Sequence, residues 1–274
     1  MKSIIKKSLP VPVLEFIRNS LDASKRSLEV PNAYLHPWRK QTRQRIVKYK
    51  DIHKNQRCFI LGNGPSLKNT DLSKLKNEIT FGTNRIYLAY SNMGFPTTYY
   101  VSVNDLVIEQ CADDIQKLKQ PRFVSWRGGK KWLQPDDDLF FLYTTYTEPI
   151  FAKDIRNRVW ESATVTYVTL QIAFYMGFKE VILVGVDHNF ETKGKANTTI
   201  VSQGDDPNHF HPQYFGKGFR WQLPDLEKSE IGYQLAKTTF EKAGRKILDG
   251  TIGGKLTIFE KIEYDECFSQ SPSN

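Results

Sequence analysis

The sequence predicts an open, mainly parallel α/β sheet with helices on both faces. Three observations predict it. Short apolar runs alternate with segments of helical periodicity along most of the 274 residues. The run Val181-Ile182-Leu183-Val184-Gly185-Val186-Asp187 is apolar without alternation, the pattern of a strand buried on both faces. An apolar helix from Thr164 to Met176 precedes it, and Gly177 closes that helix in the manner of a left-handed cap.

The remaining elements follow in chain order. Val13 to Leu21 has near-helical apolar spacing between basic flanks. Residues 57–61 read as a buried strand running into the turn Gly62-Asn63-Gly64-Pro65. Asp71 to Leu75 reads as a short helical segment, Ile79 to Gly82 as a second strand and Thr98 to Val103 as a third, rich in β-formers. Val107 to Leu118 has helical spacing, and Arg122–Ser125 and Leu139–Tyr143 are two more strands. Residues 191–225 lack periodicity and are dense in Gly, Asn, Asp, His and Pro; a loop of that length inside a domain reads as a lid. Glu227 to Ala243 is a helix, and Lys246 to Asp249 a last strand.

Composition narrows the function. At 39% hydrophobic and 25% charged residues the chain is globular, not disordered. A net charge of +9 favours anionic partners. The basic residues are spread along the chain, and the sequence has neither an RNA-recognition signature nor zinc-finger spacing, so nucleic acid is not the expected partner. Cys58, Cys111 and Cys267 are far apart and odd in number, which argues against a disulfide framework and for a reducing compartment. No apolar stretch approaches the ~20 residues of a membrane span. The expected location is the cytoplasm, with residues 1–50 offering a basic amphipathic surface for peripheral contact with an anionic membrane.

Ligands of open α/β sheets sit beyond the carboxyl ends of the strands, and three groups of candidates share that address. Gly62, Asn63, Gly64, Pro65 and Ser66 form a turn whose glycines, amides and hydroxyl suit a phosphate, although it is neither a Walker A loop nor a GxGxxG fingerprint. Asn84 and Arg85 follow one strand, and Asn104 and Asp105 another; asparagine offers a donor and an acceptor to a base or sugar, and Arg85 a partner for phosphate. Asp187, His188 and Asn189 follow the buried strand. The adjoining loop brings His209, His211 and Tyr214. Histidines can serve as acid or base without a metal, and the spacing fits no standard zinc motif. There is no GxSxG elbow, so covalent hydrolase chemistry has no support.

These residues resemble a known family. Phe59 to Leu67, Gly82-Thr83-Asn84, Asn104, Gly177 to Asp187 and the stretch Gly244 to Leu256 look like the 6-hydroxymethylpterin diphosphokinase MptE-like family. The same segments are similar to small bacterial sialyltransferases and to motility-accessory-factor flagellin glycosyltransferases. The resemblance covers roughly residues 57–260 and implies a Rossmann-like, sialyltransferase-type fold; the expected division of the chain is a basic helical extension (1–53), that domain (54–266) and a tail (267–274). In the sialyltransferase-like branch it implies transfer of an acidic sugar, nonulosonate or Kdo-like, from a CMP-activated donor to a glycan acceptor. Asn63, Ser66, Asn84 and Asn104 would surround nucleotide and donor sugar, Thr164 and Thr166 would lie near the base, and His209 or His211 would be the base catalyst. The family's leaving-group tyrosines do not carry over: Asn189 and Lys195 stand near their expected places, and Tyr214 is the substitute from another loop position. That branch needs no cofactor. The diphosphokinase branch implies ATP and magnesium, with Asp105 and Asp187 as metal ligands. A third reading is a non-catalytic nucleotide-binding adaptor. Oligomerisation is open in all three.

Overall fold

The computed structural model describes Ser24, Ser27 and residues 29–269. The segment Val13 to Leu21 lies outside the described residues. The chain divides into two compact units, Met1–Gln41 and Thr42–Asn274. The larger unit thus begins at Thr42, ahead of the boundary at residue 54 expected from the sequence.

Eleven strands are formed by the described residues: β1 (Arg57–Leu61), β2 (Thr80–Thr83), β3 (Tyr99–Ser102), β4 (Arg122–Ser125), β5 (Leu139–Thr145), β6 (Arg158–Trp160), β7 (Glu180–Val184), β8 (Thr199–Val201), β9 (Arg220–Gln222), β10 (Lys246–Asp249) and β11 (Glu260–Lys261). Nine of them make one sheet in the order β11-β10-β7-β1-β2-β3-β4-β5-β6. Every neighbouring pair in it is parallel. The site-bearing helices are α1 (Asp105–Gln110), α2 (Ala112–Lys117), α3 (Trp126–Trp132), α4 (Val165–Tyr175) and α5 (Leu226–Lys242).

The parity of the strands explains the layers. Cys58 and Ile60 of β1, Val101 of β3, Phe123 of β4 and Val181 and Leu183 of β7 share one core with Val168, Leu170 and Ile172 of α4. Their neighbours along the strands, such as Phe59, Val124 and Phe141, point to the other face and are buried as well. A Cβ on Gly129 of α3 would meet Phe141 and Val124 at 2.9 and 3.0 Å, so α3 covers that second face. Helices therefore clothe both faces, as a parallel sheet requires.

Three expectations are corrected. The single helix over Val107–Leu118 is two, α1 and α2, broken at buried Cys111. Asn104 starts the first by capping Leu106 and Val107, while Asp113 and Asp114 favour a second start. The strand expected to reach Asp187 stops at Val184, because Gly185 turns the chain with φ 72°. The lid is not wholly irregular, since β8 and β9 pair antiparallel within it. Strand β6 has only three residues with Arg158 at its head, too short for a periodicity to register.

Candidate functional site

Strand β1 lies between β7 and β2, so the chain leaves it in opposite directions along the sheet. The crevice beyond β1 at such a reversal is where open α/β sheets take ligands. A cleft of about 710 Å³, counting its solvent-open mouth, occupies that place. Its walls come from the turn after β1 (Gly62, Asn63, Gly64), the end of β2 (Thr83, Asn84), the segment after β7 (Gly185 to Phe190), the starts of α4 and α5, and the lid (Asn208, His209, Tyr214).

The turn after β1 is built differently from the expected phosphate cradle. Gly62 N–H donates to Val184 O (2.8 Å), Gly64 N–H to Gly185 O (2.9 Å), and Leu67 N–H to Gly64 O (3.2 Å). The Ser66 amide and hydroxyl donate to the two Asp187 carboxylate oxygens at 3.0 and 2.7 Å. Pro65 has no N–H. These donors serve the protein, so the turn acts as a joint between β1 and β7. Its glycines make room for that joint: a Cβ on Gly62 would lie 2.2 Å from Gly185 O, and one on Gly64 1.8 Å from an Asp187 oxygen. Burial pushes the Asp187 carboxyl up, against the lowering effect of Ser66. Asp187 lines the cleft, but its carboxylate clamps Ser66.

Asn63 and Asn84 contribute polar groups to the wall. Asn63 Nδ2 donates to both Thr83 O (3.0 Å) and Thr83 Oγ1 (2.9 Å). Because that hydroxyl already donates to Leu61 O, it must accept from Asn63, which fixes the amide orientation. Asn63 Oδ1 is then a buried acceptor with no partner among the described residues. A ligand donor that reaches it relieves a cost of about 1–3 kcal/mol. Asn84 Oδ1 accepts from Ser102 Oγ (3.1 Å), leaving Nδ2 as the donor it brings to the cleft.

The start of α4 is the anion-compatible end. Thr164 caps it by accepting from Thr166 N–H (3.2 Å), and its first turn has no acidic residue. The first turn of α5 is already matched by Asp225, which accepts from Lys228 N–H, and by Glu227. Unpaired first-turn amides and the helix dipole favour negative charge at α4. Ser162 (φ 42°) and Ala163 (φ 59°) lead into α4 in left-handed conformation, and Asn84 (φ 48°) and His188 (φ 54°) share it. Such strain costs about 1–3 kcal/mol per residue and gathers at functional sites.

The lid brings His209 to the cleft. Its Nδ1 lies 2.7 Å from Oδ2 of Asp206, a carboxylate that is 2% exposed. An ionised carboxylate only accepts, so Nδ1 carries the hydrogen, and in the neutral ring the lone pair is on Nε2. Asp206 is fixed by Asn208 N–H (2.8 Å) and Phe215 N–H (3.1 Å). The imidazole lies flat on Tyr214, with centroids 4.0 Å apart and planes at 11°. Burial raises the Tyr214 phenol well above its ordinary range, so it stays neutral. The lid is latched onto the sheet. Phe210 N–H donates to Asn63 O (3.0 Å), and the Arg85 guanidinium donates to the carbonyls of Gln213 and Tyr214.

Several candidates are not gathered into the cleft. Arg85 lies outside its lining, committed to the lid and stacked over Phe219 at 5.2 Å. Asn104 is outside the lining and caps α1. His211 accepts from Gln213 N–H within a turn, away from the wall. His188 lines the cleft but is paired with Glu230 at 2.8 Å. Thr164, Thr166, Asn189 and Tyr214 do line it. Asp206, Thr83 and Tyr233 are additions that sequence reasoning missed. Asp206 lies three residues before His209 in an aperiodic loop, where spacing gives no signal.

Residues 33–193, more than half of the chain, match the family described as 6-hydroxymethylpterin diphosphokinase MptE-like. The chain belongs to that family. In this MptE-like protein the match takes in the turn after β1, Asn84, the start of α4 and Asp187, and it stops short of Asp206, His209 and Tyr214. A structure of the MAf glycosyltransferase from Magnetospirillum magneticum AMB-1 is similar over 82% of this chain and 38% of that one, with a TM-score of 0.49 and 12% identity. The MptE-like chain thus spans less than two fifths of that protein's length. No curated protein matches it.

The two carboxylates offered for magnesium are apart and engaged. Asp105 is bound by Arg127 at 2.5 Å and lies outside the cleft lining, while Asp187 holds Ser66. Among the described residues no group of three His, Cys, Asp or Glu is placed to hold a metal ion. Magnesium takes one or two carboxylates beside substrate phosphate oxygens, and of the two offered only Asp187 lines the cleft, where it is hydrogen-bonded to Ser66. No helix of the described residues is long and apolar enough to cross a membrane.

Proposed function

We propose that this protein is a glycosyltransferase that moves an acidic sugar, nonulosonate or Kdo-like, from a CMP-activated donor to a glycan acceptor by direct displacement. One observation carries the reading: His209 stands in the cleft wall with Nδ1–H held by buried Asp206 and Nε2 left to take a proton. Nε2 removes the proton from an acceptor hydroxyl as its oxygen bonds to the anomeric carbon. The bond from that carbon to the phosphate oxygen breaks, and CMP departs with the electron pair. The first-turn amides of α4 face the charge that develops there.

The charge balance favours a donor with one phosphate. The described lining residues bring no Lys or Arg, and a helix end supplies roughly half a positive charge. That suits a singly charged phosphodiester better than a triphosphate. The family description favours the second reading, pyrophosphoryl transfer from ATP with magnesium. The engaged state of Asp105 and Asp187 weighs against it.

Incubation with a CMP-activated nonulosonate in the presence of a chelator is expected to release CMP. Absence of CMP release, together with pyrophosphoryl transfer from ATP and magnesium to a hydroxymethylpterin, would overturn the reading. Asn84→Ala removes the Nδ2 donor and is expected to weaken CMP binding about tenfold, the weight of one hydrogen bond. Unchanged affinity in calorimetry would remove Asn84 from the pocket.

A further inference from the structure

A second polar platform stands on the same edge of the sheet. Arg127, in the first turn of α3, donates from Nε to Asp105 Oδ2 (2.5 Å) and from Nη2 to Glu161 Oε1 (3.2 Å). Its guanidinium lies 4.0 Å from the ring centroid of Tyr146, a residue 52% exposed.

The platform adjoins the donor cleft by two routes. Glu161 is two residues from Ala163 in the cleft wall, less than ~8 Å along the backbone. Lys228 Nζ donates to Tyr146 O (2.8 Å), and Lys228 O accepts from Ser162 Oγ (2.6 Å). Leu226 and Ser229, on either side of Lys228, line the cleft.

The geometry points to an acceptor subsite: we infer that Tyr146, Asp105 and Arg127 receive the hydroxyl-rich ring of an uncharged sugar beside the donor. This rests on the glycosyltransferase reading. An exposed aromatic ring gives an apolar seat at low entropic cost, with a polar rim for hydroxyls. Asp105, whose side chain is 37% exposed, is an acceptor for sugar hydroxyls. Two carboxylates, Asp105 and Glu161, stand against two cations, Arg127 and Lys228, so the platform carries no surplus positive charge to select a phosphorylated acceptor.

The test uses the full chain, saturating CMP and an immobilised panel of neutral hexose- and hexosamine-terminated oligosaccharides. Wild-type protein is expected to be retained by at least one of them. Tyr146→Ala is expected to weaken retention at least tenfold while keeping the CMP-induced thermal shift, and Tyr146→Phe to retain it. Should the alanine variant show no CMP shift, Tyr146→Leu, which keeps bulk without a ring, takes its place. Equal retention by the ring-free variant overturns the subsite. So does a wild-type protein that shifts with CMP yet binds none of the sugars, and that result leaves the donor reading standing. A wild-type protein with no CMP shift overturns both.

Discussion

Replacing His209 with alanine is expected to lower sugar transfer by about 10²–10⁴-fold while leaving CMP binding close to wild type. The expectation follows from where the ring is held. Its Nδ1–H is fixed by Asp206 and its face lies on Tyr214, so Nε2 is the one nitrogen left for chemistry. Asp206→Asn should give a smaller loss of the same kind. The amide can present a donor to Nδ1, which then holds its lone pair there and carries the hydrogen on Nε2. Single-turnover transfer with saturating donor separates this effect from binding. Full activity of the His209→Ala variant would show that the base lies elsewhere. Loss of CMP binding would show that His209 supports the donor instead.

The second large effect is expected at Gly62. An alanine there places its Cβ 2.2 Å from Gly185 O, a backbone atom with no rotamer to escape into. The joint between β1 and β7 must open, breaking the Gly62–Val184 and Gly64–Gly185 bonds beside the cleft. A loss of about 3 kcal/mol or more is expected, at the upper end for overpacking. For a domain of this size that lowers Tm by about 6–12 °C. Gly204→Ala is the control, because nothing lies within 4 Å of its added Cβ. Equal melting temperatures for the two variants would contradict the joint.

The comparison of Gly62 with His209 shows what the sequence could and could not reveal. Apolar runs gave β1, β4, β7 and β10 to within a few residues, because a strand buried on both faces leaves a compositional mark. They also placed the turn after β1, Asn84 and Asp187 at one edge of the sheet. What the turn does was not legible. The use of its amides by Val184, Gly185 and Asp187 depends on strands more than a hundred residues apart in sequence. Arg85 was read as a phosphate partner from its charge and strand-end address, yet lid carbonyls claim its guanidinium. Asp206 left no mark, since a loop has no period against which a partner can be recognised. The pattern located the cleft, and the hydrogen-bond partners then separated the residues that face it from those that build it.

The central claim is that the cleft beyond β1 takes a nucleoside monophosphate without a metal. A thermal-shift panel with CMP, CDP, ATP with magnesium, and a pterin tests it most directly, because a ligand of the native state raises stability by mass action. CMP alone, with a chelator present, is predicted to raise the transition by about 2.7 kcal/mol of stabilisation at a hundred times its Kd. A shift seen only with ATP and magnesium would contradict the account.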